Sequence, residues 1–208
     1  MTAATSAILS GLRLARLGAA LVIALCGNHV LAFEVHVRDQ NGAPVEDAVV
    51  YAVPTDGRLP HTRPVPAMIT QQNKMFMPLV TVVQKGASVD FPNHDDLAHD
   101  VYSFSEPQRF ELKLYRGATH PLVFDKPGLE VIGCNIHDTM IAYLLVVDTP
   151  YFAKTDREGN AVLPDLPRGS YRLLAWHYRQ QNLEARSEQK IQMPLAAPPS
   201  FSLQLGTR

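Results

Sequence analysis

Gly133-Cys134-Asn135-Ile136-His137-Asp138-Thr139-Met140 lies between two apolar segments, Leu129 to Ile132 and Ile141 to Val147. The run offers a thiol, an imidazole and a thioether at the spacing Cys-x-x-His-x-x-Met. Upstream, Phe91-Pro-Asn-His-Asp-Asp-Leu-Ala-His-Asp-Val-Tyr-Ser-Phe104 adds a second imidazole, His99, beside the strand-like Val101 to Phe104. Alternating and continuous apolar runs of strand length surround both stretches, and helical periodicity is weak. The chain therefore reads as all-β, with a ligand-bearing loop joining two strands and a distant strand supplying His99.

One thiolate, two imidazoles and one thioether make up the ligand set of a blue copper centre, in which the thiolate suits Cu(I), imidazoles suit both oxidation states and a long axial thioether tunes the potential. His99, Cys134, His137 and Met140 are the candidate ligands. Structural zinc calls for two or more cysteines or a closed set of four firm ligands. Catalytic zinc calls for a motif such as His-Glu-x-x-His, which is missing. A Cys/His nucleophile pair is the other alternative, but two residues so close on one tight loop are better placed to share a metal. His94, in the turn-forming Asn93-His-Asp-Asp96, is the rival for the upstream ligand and reads as an exposed turn residue. His120 reads as exposed, and His177 as structural or exposed.

The rest of the 208-residue chain supports an exported protein. Arg13 and Arg16 precede the apolar Leu17 to Leu25, and Val30 and Ala32 have the form of a cleavage site, so residues 1–32 read as a secretory signal peptide. The apolar run is short for a spanning helix, which leaves no stable membrane span after cleavage. Leu25 is large for the position before a lipidated Cys26, and no arginine pair suggests the twin-arginine route. Cleavage removes Cys26, one of two cysteines, and leaves Cys134 without an internal disulfide partner. The formal net charge of -1 gives no electrostatic support for a nucleic-acid partner.

Outward from the loop, strands are expected at Phe33 to Arg38, Asp47 to Val53, Leu79 to Val83, Ala87 to Phe91, Phe110 to Leu114 and Leu122 to Phe124. After Asp148-Thr-Pro150 they continue at Ala161 to Leu163, Tyr171 to Trp176, Glu188 to Met193 and Phe201 to Leu205. Gln181 to Glu188 reads as a loop, or a short helix at most. The prolines at 54, 60, 64 and 66 mark a boundary.

From about Ile69 to Val147 the chain resembles the cupredoxins, especially plastocyanin- and amicyanin-like proteins, on the two quoted stretches. The flanks Asn41-Gly-Ala-Pro-Val-Glu-Asp-Ala-Val-Val-Tyr51 and Thr155 to Tyr171 resemble a carboxypeptidase-regulatory or transthyretin-like domain. Together they resemble exported proteins of the methylamine-utilisation-like type. The resemblance implies a cupredoxin Greek-key β-sandwich inserted into a smaller transthyretin-like β-sandwich. The implied boundaries are 33–60 and 150–208 for the smaller sandwich and 61–149 for the cupredoxin. It also implies one type 1 copper per chain, His99 over His94, and Asn93 and Asp100 as outer partners of the ligands. Cupredoxins usually place Asn after the upstream His, where it fastens the cysteine loop. Here that residue is Asp100, whose charge favours the oxidised state.

No substrate pocket or acid–base pair is evident, so the expected role is a periplasmic one-electron carrier rather than an enzyme. The resemblance suggests a c-type cytochrome or a periplasmic dehydrogenase as redox partner. Two rival readings remain: a copper-holding or copper-delivery protein without redox turnover, and a metal-free scaffold in which the flanking sandwich does the binding.

Overall fold

The computed structural model describes residues 33–206, and the expected signal peptide, with Cys26 and the expected cleavage site after Ala32, lies outside them. Strands account for all the regular structure among the described residues. In chain order they are β1 (Phe33–Asp39), β2 (Val49–Pro54), β3 (Ala67–Met68), β4 (Thr70–Gln72), β5 (Met75–Met77), β6 (Val80–Gln84), β7 (Ala87–Asp90), β8 (His99–Ser103) and β9 (Phe110–Tyr115). There follow β10 (Leu122–Phe124), β11 (Gly128–Gly133), β12 (Ile141–Val147), β13 (Phe152–Lys154), β14 (Asn160–Leu163), β15 (Gly169–Trp176), β16 (Ser187–Met193) and β17 (Ser200–Leu203).

Beyond the exposed Ile141, the apolar run to Val147 packs on both faces, and that explains its composition. Ala142, Leu144 and Val146 enter one core with Phe91, Val101, Phe124 and Ile132. Leu145 and Val147 enter a second with Val49, Val80, Leu129 and Trp176. Side chains of a strand alternate between faces, so β12 sits in a sheet covered on both sides. That sheet has the order β6-β12-β11-β8-β9, with β6 and β12 parallel. The sheet β10-β7-β3 covers its first face.

Its second face meets β13-β2-β15-β16, built from the segments on either side of 67–147. β2 divides its residues in the same way. Val49 faces Trp176 and Leu145, whereas Val50 and Ala52 enter a third core with Val35, Leu173 and Phe201. The sheet β14-β1-β17 closes that third core. Three apolar layers thus lie between four sheets. The Trp176 indole donates to the Leu183 carbonyl at 2.9 Å, so its one polar atom is satisfied within the middle layer.

Strand pairing joins the segments before and after residues 67–147: β1 pairs with β14 and β17, and β2 with β13 and β15. At Gly159, φ is +74°, and an added Cβ would lie 2.4 Å from the Val37 carbonyl oxygen. Only glycine fits this approach of the hairpin to β1.

Two expectations need amendment. His99 lies within β8 rather than before it, and β16 begins at Ser187, inside the segment read as a loop. The short strands β3 to β5 and β13 had no counterpart in the sequence reading. They are two or three residues long, too short for alternation to register.

Candidate metal centre

Cys134 follows the last residue of β11, and Met140 precedes the first residue of β12. The loop between them is closed by the Met140 amide donating to the His137 carbonyl at 2.9 Å. β8 is placed beside β11 through the Gly133–Tyr102 pair. Tyr102 packs closely over Gly133: an added Cβ would come within 2.8 Å of the tip of its ring, which would have to shift. This packing carries His99 to the loop. Its strand has a register irregularity between His99 and Val101 against β9. Such irregularities re-aim side chains, and His99, Asp100 and Val101 are all buried in succession instead of alternating.

His99, Cys134 and His137 come together, with one ligand atom from each within 4.8 Å of the others. The Cys134 Sγ lies 3.9 Å from His99 Nδ1, and the two imidazole rings meet edge to face at 4.9 Å between centroids. Met140 is buried and lines the same shallow cleft as Cys134 and Gly133. His94 is exposed and outside the cluster, and His120 is exposed. His177 is buried in the flanking sheets, where it contacts the Glu46 carbonyl and the Arg179 amide.

The donors fit a soft metal ion. His137 Nδ1 is buried without a hydrogen-bond partner, an arrangement that disfavours a bare imidazole and suits a nitrogen turned to a ligand position. His99 offers Nδ1 to the cluster because Nε2 is engaged elsewhere, 2.8 Å from Asp95 Oδ2. A carboxylate on the far nitrogen fixes tautomer and ring orientation and raises ligand basicity.

Asp95 is the residue that sequence reasoning missed. It also accepts the Asn73 amide at 2.6 Å and the Lys74 amide at 2.9 Å. Burial pushes its carboxyl up, but the hydrogen bonds from Lys74, His99 and Asn73 outweigh that and hold it below the ordinary carboxylate value. Asn73 and Lys74 both have positive φ, at 55° and 56°, the backbone of a tight two-residue hairpin turn between β4 and β5. Lysine disfavours that conformation, and the two amide bonds to Asp95 hold it. The available signal was the acid four residues before His99, which on its own has no specificity.

Asn93 hydrogen-bonds through its side chain to neighbours of the cluster rather than to His99, Cys134 or His137. Its side-chain amide donates to the carbonyls of Leu97 and Tyr115, and its oxygen accepts the Asp95 amide, so it shapes the turn that presents Asp95. Asp100 does reach the cysteine loop: Asn135 Nδ2 donates to its Oδ1 at 3.2 Å. Burial pushes the Asp100 carboxyl above its ordinary value, partly offset by Asn135. Tyr115, paired with His99 across the sheet, donates to the Phe91 carbonyl, and burial pushes its phenol up to about 12.

Neither a family model nor a curated protein matches the chain. Solved structures overlap with part of it. A copper-containing nitrite reductase from Thermus scotoductus is 24% identical over 41% of this chain, with a TM-score of 0.38, and the chain spans only 23% of that enzyme's length. A reduced amicyanin variant is 15% identical over 39% of this chain and 82% of its own, with a TM-score of 0.37. A purple cupredoxin from Nitrosopumilus maritimus is 18% identical over 39% of this chain and 99% of its own, with a TM-score of 0.35. Each overlap leaves more than half of this chain unmatched.

Proposed function

We propose that the protein is a periplasmic one-electron carrier holding one type 1 copper through His99, Cys134, His137 and Met140. The observation that carries this reading is the convergence of the buried Cys134 and His99 with the half-buried His137, whose Nδ1 is left unpaired. Copper in such a site supplies one-electron chemistry between Cu(I) and Cu(II). The chain's own contribution is to hold donors of mixed softness in one place. β8 and β11 set the distance between His99 and Cys134, and Asp95 fixes the His99 ring. The Asp100–Asn135 bond ties the loop to β8.

His137 is the least buried of the four and forms the route outward. Ile136 on the loop, Ile141 at the start of β12 and Leu97 in the turn before β8 are exposed apolar side chains. Such a patch suits brief docking of a redox protein over a small interface, below about 1,200 Å². A c-type cytochrome or periplasmic dehydrogenase is the partner class in this reading. Residues 1–32 act as the export signal.

The test is to add Cu(II) to the purified protein and record absorption, electron paramagnetic resonance and voltammetry. A strong thiolate-to-copper band, narrow hyperfine splitting and a reversible couple are expected, all lost in Cys134→Ser. A colourless one-to-one zinc complex that excludes copper would overturn the reading. Copper that binds without a reversible couple and passes readily to an acceptor would instead identify a holding or delivery protein.

A further inference from the structure

Five methionines lie within the described residues, and three stand in the solvent on or beside the β4–β5 hairpin. Met68 is 53%, Met75 51% and Met77 44% exposed, whereas Met140 is buried and Met193 half-buried. Large apolar side chains scattered singly over a surface need no explanation, but these three are neighbours. Along β3 to β5 the buried residues are Ile69, Gln71 and Phe76. Met68, Thr70 and Gln72 alternate with Ile69 and Gln71 along β3 and β4, and Met75 and Met77 flank Phe76 on β5, so all five point away from the core. Met77 pairs with Thr70 and Met75 with Gln72. Residues 67–71 run on beside 89–93, through the Met68–Asp90 pair and the Ile69 and Gln71 amides donating to the Asp90 and Pro92 carbonyls, so Met68 stands two residues before Thr70 and diagonal to Met77.

Met75 and Met77 are two residues apart on the same face, about 7 Å by strand rise. A diagonal pair is separated by about 7–8 Å. Met77 lies between Met75 and Met68, and methionine has three rotatable bonds beyond its backbone, so the two outer sulfurs can swing inward to an ion held over Met77. Thioethers are soft, neutral donors that select Cu(I), and they have no proton to lose on binding.

We propose that Met68, Met75 and Met77 form a second metal site on this face, an exposed thioether site for Cu(I). It is separate from the Cys134 cluster in ligands and in chemistry. The ion there has a filled d shell and no thiolate, so the site is colourless. It does not depend on the Cys134 cluster being a copper centre. The face is anchored from beneath, since Ile69 and Phe76 belong to the core around Cys134. The turn leading into Met75 is held by Asp95, which also holds His99.

The experiment is an anaerobic Cu(I) titration of the protein against a chromogenic Cu(I) chelator. It compares wild type, the triple variant Met68→Leu/Met75→Leu/Met77→Leu, and Cys134→Ser. Leucine conserves volume, and circular dichroism of each variant checks the fold. Wild type is expected to hold two Cu(I), and the triple variant one. In parallel, Ag(I) is added as a redox-silent probe to protein carrying ¹³C-methyl methionine. The methyl signals of Met68, Met75 and Met77 should then move together, equally at about pH 5 and pH 8 because thioethers do not titrate. Met193 serves as the unmoved control.

The proposal is overturned if the triple variant binds as many Cu(I) ions as wild type, or if the three methyl signals stay in place. If wild type and Cys134→Ser each bind one ion and the triple variant binds none, the methionine site stands and the copper reading of the Cys134 cluster fails.

Discussion

Asp95→Asn isolates the role of a charge that touches no metal. Asp95 Oδ2 lies 2.8 Å from His99 Nε2, and the carboxylate accepts two backbone amides from the Asn73-Lys74 turn. Asparagine keeps the shape, removes the charge and turns an NH₂ donor toward groups that are themselves donors. Loss of such a partner behind a ligating histidine lowers metal affinity about 10–100-fold. The negative charge favours Cu(II) over Cu(I), so the loss falls mainly on the oxidised state. At about 59 mV per tenfold change for a one-electron couple, the potential is expected to rise by about 60–120 mV. Voltammetry measures the rise, and competition titrations of both oxidation states locate it. Apo-protein stability should also fall by about 1–3 kcal/mol, as expected for hydrogen bonds to a charged group. The Asp95 side chain is only 13% exposed, which limits solvent screening. A folded Asp95→Asn protein whose potential stays put or falls would refute this account of His99.

Other expectations follow from the same contacts. Asp100→Asn removes a buried carboxylate bonded to Asn135 on the cysteine loop and should also raise the potential; a titration showing no shift or a fall counts against it. Glu130, fully buried and accepting from Ser103 Oγ at 2.6 Å, has its carboxyl pushed up by burial. The folded state therefore holds the Glu130 proton more tightly than the unfolded chain does. That contribution is complete below the ordinary carboxylate value and is lost as pH rises through the folded one. Glu130→Gln should accordingly melt higher than wild type by a margin that widens from about pH 4 to about pH 7, and a margin that shrinks instead would sink the reasoning. Gly159→Ala must place a Cβ against the Val37 carbonyl at positive φ, so denaturant unfolding should show a loss of more than about 1 kcal/mol.

Strand type was legible wherever a strand is long enough to show alternation or a continuous apolar run. Phe33–Asp39 alternates because one face meets a core, and Ile141–Val147 runs apolar because both faces do. The strands of two or three residues escaped, since so short a segment carries no period. The Cys134 loop was legible because ligand type and spacing are local properties of the chain. Choosing His99 over His94 needed a resemblance, and the structure separates them by burial: His99 lies in the cluster and His94 in the solvent.

The sequence by itself determined the donor chemistry, the all-β character and the candidate ligands, because side-chain softness and two-residue periodicity can be read along the chain. Only the tertiary structure decided which nitrogen of His99 faces the thiol, because Asp95 reaches Nε2 through a turn whose shape no pattern encodes. It also decided that Met75 and Met77 face the solvent together, beside Met68 where β3 runs into β4, which follows from hairpin register. The layer joining Leu145 to Trp176 likewise arises from sheets packing across long sequence separations. In each case the deciding contact links residues whose proximity is created by folding.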